Sequence, residues 1–118
     1  MLSDRSRGVV SKKDLQLMKP SALFVNTSRG ALVVEKDLLD VVKAGKIEGV
    51  ALDVYDIEPL PQSSEWRNPN WGQDGTSRVL LTPHSAYVEE ETMKNWAQEA
   101  VENIELWHGG EELNNVLV

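Results

Sequence analysis

Short apolar runs alternate along the chain with longer amphipathic stretches. The run Leu23-Phe24-Val25 passes into Asn26-Thr27-Ser28-Arg29-Gly30, which predicts a strand over 22–27 that exits through a polar turn. Gly49-Val50-Ala51-Leu52-Asp53-Val54-Tyr55 predicts a second strand, and Arg78-Val79-Leu80-Leu81 a third, closed by Thr82-Pro83-His84. Runs without polar alternation suit parallel strands covered by helices on both faces. Between the first two, Leu38, Leu39, Val41 and Val42 recur at helical spacing, so a helix is expected from Glu35 to Ala44. Its acidic start suits the helix dipole, and Gly45 is placed to end it.

The strongest helical period is the last. Met93, Trp96, Ala97, Ala100, Val101, Ile104 and Trp107 recur every three or four residues, after Glu89-Glu90-Glu91 and before Gly109-Gly110. This stripe is expected to be core packing. Ser11 and Asp14 predict a short capped helix whose apolar face is Leu15, Leu17 and Met18 and which Pro20 ends. From Asp56 to Ser77 the chain is rich in Pro, Asn, Gly and Ser, a long loop that Trp66 and Trp71 are expected to pin. The tail from Leu113 to Val118 is expected to be extended. The order implies an α/β fold: a parallel sheet of three to four strands with flanking helices.

The composition narrows the class. With 118 residues the chain holds one domain at most, and 41% hydrophobic with 26% charged residues is ordinary for a globular chain. A net charge of −7 argues against a nucleic-acid partner, which needs clustered Lys and Arg. No apolar run approaches the ~20 residues of a membrane span, so no membrane partner is expected. The absence of cysteine favours a reducing compartment, and a cytoplasmic protein is the expectation.

Each strand end delivers a group with chemistry. Arg29 offers a planar fork suited to a carboxylate. His84 is of the residue type best matched to moving a proton near neutral pH. Glu58, in a loop stiffened by Pro59 and Pro61, could orient that imidazole, and Asp53 lies at the end of its strand. An Arg, a His and a Glu together can bind an α-keto acid, polarise its carbonyl and supply the proton that accompanies a hydride. Two distant histidines and no cysteine offer no metal set. Each residue also has a plainer use: Arg29 in a solvated turn, Asp53 capping a neighbouring turn, Glu58 solvated, His84 packed in a turn. His108 sits where a helix C-terminus favours a cation.

Leu17-Met18-Lys19-Pro20-Ser21-Ala22 running into Val25-Asn26-Thr27-Ser28-Arg29-Gly30 resembles the signature of the D-isomer-specific 2-hydroxyacid dehydrogenases. Gly49 to Tyr55 followed by Glu58-Pro59-Leu60-Pro61 resembles it as well, and so does Leu81-Thr82-Pro83-His84; in this order the resemblance spans residues 2–118. It implies a partial Rossmann-like sheet: residues 1–118 as the C-terminal half of an NAD(P)-binding domain with its terminal helix. The glycine-rich first half and the substrate domain would then lie upstream of Met1, leaving a truncated chain of doubtful activity on its own.

By the same resemblance, Arg29 binds the carboxylate and carbonyl of a small 2-keto or 2-hydroxy acid, His84 is the acid/base, and Glu58 holds it. Thr27, Ser28, Arg29, Asp53 and His84 fall at cofactor-binding positions, the cofactor being NAD, with NADP as the alternative. The implied activity is hydride transfer between 2-keto and 2-hydroxy acids. The alternatives are a cofactor-regulated binding protein of the corepressor type, whose family retains the same three residues, and an inactive fragment. A strand at 22–27 on an unprotected sheet edge would also favour self-association.

Overall fold

The computed structural model describes residues 2–116. It comprises two compact units, one ending at Ser85 and the other starting at Ala86. In the first, helix α1 (Lys12–Leu15), strand β1 (Leu23–Asn26), helix α2 (Glu35–Lys43), strand β2 (Gly49–Leu52) and strand β3 (Arg78–Leu81) follow in order. Short 3₁₀ turns cover Gly30–Leu32 and Glu65–Arg67. The second unit holds helix α3 (Glu90–Gly109).

The strands form one parallel sheet in the order β1-β2-β3. The register aligns Phe24 with Val50 and Val79, and Val25 with Ala51 and Leu80. Because successive side chains alternate, these two rows lie on opposite faces. One face is packed: Val50 and Leu52 join Leu38, Leu39, Val41 and Val42 of α2, with Leu15, Val33, Ile47 and Trp66 completing a single core. Burying each such side chain contributes about 1.5–3 kcal/mol. On the other face Leu23, Val25 and Leu80 are 62–63% exposed. The expectation of runs covered on both faces therefore holds on one side only, among the described residues.

Helix α2 ends as its sequence predicts. Gly45 takes a φ of 58°, and a Cβ there would lie 2.0 Å from the carbonyl oxygen of Gly75. The far end of the long loop thus rests on this turn. Trp66 is buried and donates from Nε1 to Glu35 at 2.9 Å, while Trp71 donates to the Trp66 carbonyl at 3.0 Å. The two indoles, 6.2 Å apart, pin the loop as expected.

Other expectations are corrected. Helix α1 stops at Leu15, five residues before Pro20, and Leu17 is 85% exposed, so only Leu15 anchors it in the core. Asp14 accepts from both the backbone and the hydroxyl of Ser11 at 2.9 Å, but a single turn cannot extend an apolar face to Leu17. The second strand ends at Leu52, short of the expected Tyr55, and Asp53 just beyond it is buried. Val10 and Val33 form a parallel bridge, a one-residue pairing with no period to reveal it.

The helical stripe on α3 is not core packing. The helix has no buried residue, and Trp96, Ile104 and Trp107 are each at least half exposed. A unit built on one helix has no second layer to cover that stripe. Its ends follow the sequence: Glu89 accepts from the N–H groups of Glu91 and Thr92, and Gly110 caps the C-terminus. Within this unit Tyr87 stacks on Trp96 at 6.0 Å. The tail is not wholly extended, since Asn114 and Asn115 turn; Leu117 and Val118 lie outside the described residues. Among the described residues no helix is long and apolar enough to cross a membrane.

Candidate active site

The parallel strands deliver their carboxyl ends to one side of the sheet, the side on which open α/β folds place ligands. At the end of β1 the buried Asn26 closes the turn: its amide nitrogen donates to the Arg29 carbonyl at 2.9 Å, and its amide oxygen accepts from the Ser28 N–H at 3.1 Å. This fixes Thr27, Ser28 and Arg29 at the strand mouth. The Arg29 guanidinium donates to the Ser28 carbonyl at 2.7 Å, and none of the ion pairs among the described residues includes it. Gly30 is a close-approach glycine. A Cβ on it would lie 2.0 Å from the carbonyl carbon of Tyr55 and 2.5 Å from the nitrogen of Asp56. The turn after β1 therefore sits directly on the backbone that follows β2.

That backbone leads to Glu58. One carboxylate oxygen accepts from the Tyr55 N–H at 2.8 Å, and the other lies 2.6 Å from Nδ1 of His84. Sequence reasoning asked for Glu58 beside His84, and the fold brings them together, each side chain about one-third exposed. The Tyr55 N–H is the largest influence holding the Glu58 carboxyl below its ordinary range, followed by the His84 hydrogen bond; the charges of His84 and Arg29 add to it.

His84 lies in the left-handed region, with φ of 56°, a conformation histidine adopts more readily than most residues. Its neighbours are tied to the end of β2. Asp53, 3% exposed, accepts on one oxygen from the Thr82 hydroxyl at 2.5 Å and from the Ser85 N–H at 2.9 Å. The Tyr55 hydroxyl lies 2.8 Å from the Thr82 carbonyl and 3.0 Å from that of Leu52. Burial and then the Asp53 charge push the Tyr55 phenol up, which keeps its proton in place as a donor. Asp53 thus does cap a neighbouring turn, the plainer use considered for it, and that turn is the one carrying His84.

His84, Glu58 and Tyr55 open on a cavity of about 560 Å³ whose other walls include Leu60, Arg67 and Pro83. That volume falls within the usual range for small-molecule sites. Arg67 holds its rim, donating to the carbonyls of Pro61 at 2.9 Å and Leu60 at 2.7 Å. Sequence reasoning missed Tyr55, Thr82, Ser85 and Arg67. The apolar run predicts Tyr55 as strand, and the one signal for it is a hydroxyl-bearing aromatic at the end of that run. Among the described residues no cluster of His, Cys, Asp and Glu could hold a metal ion.

The Glu58 pairing carries a pH signature. Its carboxyl is held below its ordinary 4.5 in the folded chain, so on acidification the unfolded chain protonates first. The stabilisation is fully present above about 4.5 and is lost as pH falls through the lowered folded value. Urea unfolding midpoints measured down this limb should fall less steeply in Glu58→Gln than in the parent chain.

Known proteins resemble this chain in sequence and in fold. The family model described as the NAD binding domain of D-isomer specific 2-hydroxyacid dehydrogenases matches residues 1–86. A glyoxylate reductase of Aeropyrum pernix is 38% identical over 103 residues, 87% of this chain and 29% of that protein. A hydroxypyruvate reductase of Blautia hydrogenotrophica is 33% identical over 115 residues, 98% of this chain and 34% of its own length. Among solved structures, a D-isomer specific 2-hydroxyacid dehydrogenase from Xanthobacter autotrophicus Py2, in complex with NADPH and MES, superposes with a TM-score of 0.73. It is 33% identical, and the match covers 99% of this chain and 45% of that one. The chain spans about a third of the length of these curated relatives.

Proposed function

The chain belongs to the D-isomer specific 2-hydroxyacid dehydrogenase family, in its NAD-binding domain, and on that premise we propose that it is the later part of a Rossmann-type cofactor domain in an NAD(P)-dependent 2-keto acid reductase. The observation that carries this reading is the Glu58–His84 contact of 2.6 Å at the carboxyl ends of parallel strands.

The chemistry of the residues at the strand ends supports the following roles. Arg29 grips the substrate carboxylate in two places and polarises the neighbouring carbonyl. His84, its Nδ1 engaged by Glu58, gives a proton from Nε2 to the carbonyl oxygen during reduction and takes it back in the reverse direction. Glu58 fixes the direction of the ring through the contact at Nδ1.

The strand-end residues fit the reactive end of a nicotinamide cofactor: Thr27, Ser28 and Arg29 on the β1 turn, with Asp53 and His84 across from them. When bound, that cofactor supplies the hydride. A buried acceptor such as Asp53 suits a carboxamide, whereas no G-x-G-x-x-G turn occurs in the 118 residues to cradle a pyrophosphate. These residues alone are therefore expected to bind NADH weakly or undetectably. Isothermal titration that returns micromolar affinity would contradict this division.

The substrate class is a small 2-keto acid, and the lack of cysteine fits a reducing cytoplasm. The outer position of β1, with its own Leu23 and Val25 exposed, supports self-association. The activity is tested by offering a panel of 2-keto acids with NADH or NADPH to the full-length gene product carrying this sequence. Loss of reduced-cofactor absorbance with at least one of them is the expected result; no turnover across the panel would overturn the proposal.

A further inference from the structure

We infer that Asp53 and Tyr55, on the outgoing end of β2, are the positioning residues that set His84 against Glu58. The catalytic meaning of this pairing rests on the acid/base reading above, but the placement is argued from geometry alone.

The segment Thr82 to Ser85 crosses the strand mouths with a left-handed residue in its middle, His84 at φ of 56°. A single left-handed residue in an exposed turn has other conformations close in energy, so something must select this one. Three contacts do. Before His84, the Thr82 hydroxyl donates to Asp53 and the Thr82 carbonyl faces the Tyr55 hydroxyl. After it, the Ser85 N–H donates to the same Asp53 oxygen. Held on both sides by adjacent points of one strand end, the imidazole has little freedom of direction.

The other half of the pair is set from the same place, because the Tyr55 N–H holds the second carboxylate oxygen of Glu58 at 2.8 Å. Tyr55 thus grips Glu58 through its backbone and the His84 segment through its side chain. The Tyr55–Asp56 peptide also seats Gly30, next to Arg29, so all three strand-end loops meet at this residue. Neither side chain needs to touch substrate for this task.

The chain contains two histidines, and His108, in the other unit, is an internal control. The ring nitrogens of ¹⁵N-histidine-labelled chain are read by NMR in Tyr55→Phe, Asp53→Ala and Asp53→Asn, with Glu58→Gln as the reference for a broken pair. In Tyr55→Phe and Asp53→Ala the His84 signals should move toward those of Glu58→Gln while His108 stays fixed. Asp53→Asn, whose amide oxygen can still accept from Thr82 and Ser85, should recover most of the parent pattern. In the full-length gene product Tyr55→Phe should lower kcat by about tenfold or less, the size of one neutral hydrogen bond, with KM unchanged.

If His84 keeps its parent signals in folded Tyr55→Phe and Asp53→Ala, the inference is overturned. It is equally overturned if both imidazoles move together, as general loosening would make them. Should Asp53→Ala fail to fold, Tyr55→Phe decides by the same criterion. Failure of the acid/base reading looks different: the ring signals respond as stated, yet a His84 variant turns over 2-keto acids like the parent.

Discussion

Gly30→Ala should strongly destabilise the first unit. The added methyl carbon would lie 2.0 Å from the Tyr55 carbonyl carbon and 2.3 Å from its oxygen. Real Cβ contacts do not come so close, and both atoms are backbone, so no side-chain rotation can relieve them. Overpacking typically costs about 1–3 kcal/mol, and a clash between backbone atoms belongs at the top of that range, a large share of the ~5–15 kcal/mol that holds a domain together. The turn after β1 and the segment after β2 would have to separate, which also removes Arg29 from the neighbourhood of Glu58. Circular dichroism through a thermal ramp checks the stability. Gly75→Ala is a useful contrast, since no atom lies within 4 Å of the methyl it adds, although its φ of 80° still imposes backbone strain. The Gly30 variant should melt well below it; equal melting temperatures would show that the β1 turn does not press on Tyr55 in solution.

The largest expected effect on turnover comes from His84. Loss of a positioned general acid lowers rates by about 10²–10⁴-fold, so His84→Asn should reduce kcat in the full-length gene product by that factor. Asparagine is chosen because it tolerates the left-handed backbone, which separates loss of the imidazole from strain at φ of 56°. Glu58→Gln should reduce kcat by less, since the ring remains and loses only its partner. Arg29→Ala should raise KM as well as lower kcat, because it removes binding of the substrate carboxylate together with polarisation of the carbonyl. Steady-state kinetics with NADH or NADPH and a 2-keto acid separates the three patterns.

Much of this was legible in the residues themselves. The sheet could be read because its strands are nearly all apolar, and α2 because Leu38, Leu39, Val41 and Val42 share one face that the structure buries. The Glu58–His84 pairing was legible from residue chemistry at successive strand ends. What could not be read were interactions that depend on where two distant turns come to rest. Asp53, Thr82 and Ser85 are joined across separations of 29 and 32 residues, and no local period encodes that. The stripe on α3 misled for a different reason. Amphipathicity states that a face suits burial, and it is silent on whether the same chain supplies the covering surface.

The one-sided packing of the sheet has a calorimetric consequence. Water already surrounds Leu23, Val25 and Leu80 before melting, so those side chains gain little hydration when the strands come apart. Newly wetted apolar area dominates the heat-capacity step of denaturation, about 12–15 cal/mol/K per residue for an ordinary globular chain. The step for this sequence therefore falls below that norm, which flattens its stability curve and spreads its resistance to temperature over a broader, shallower range.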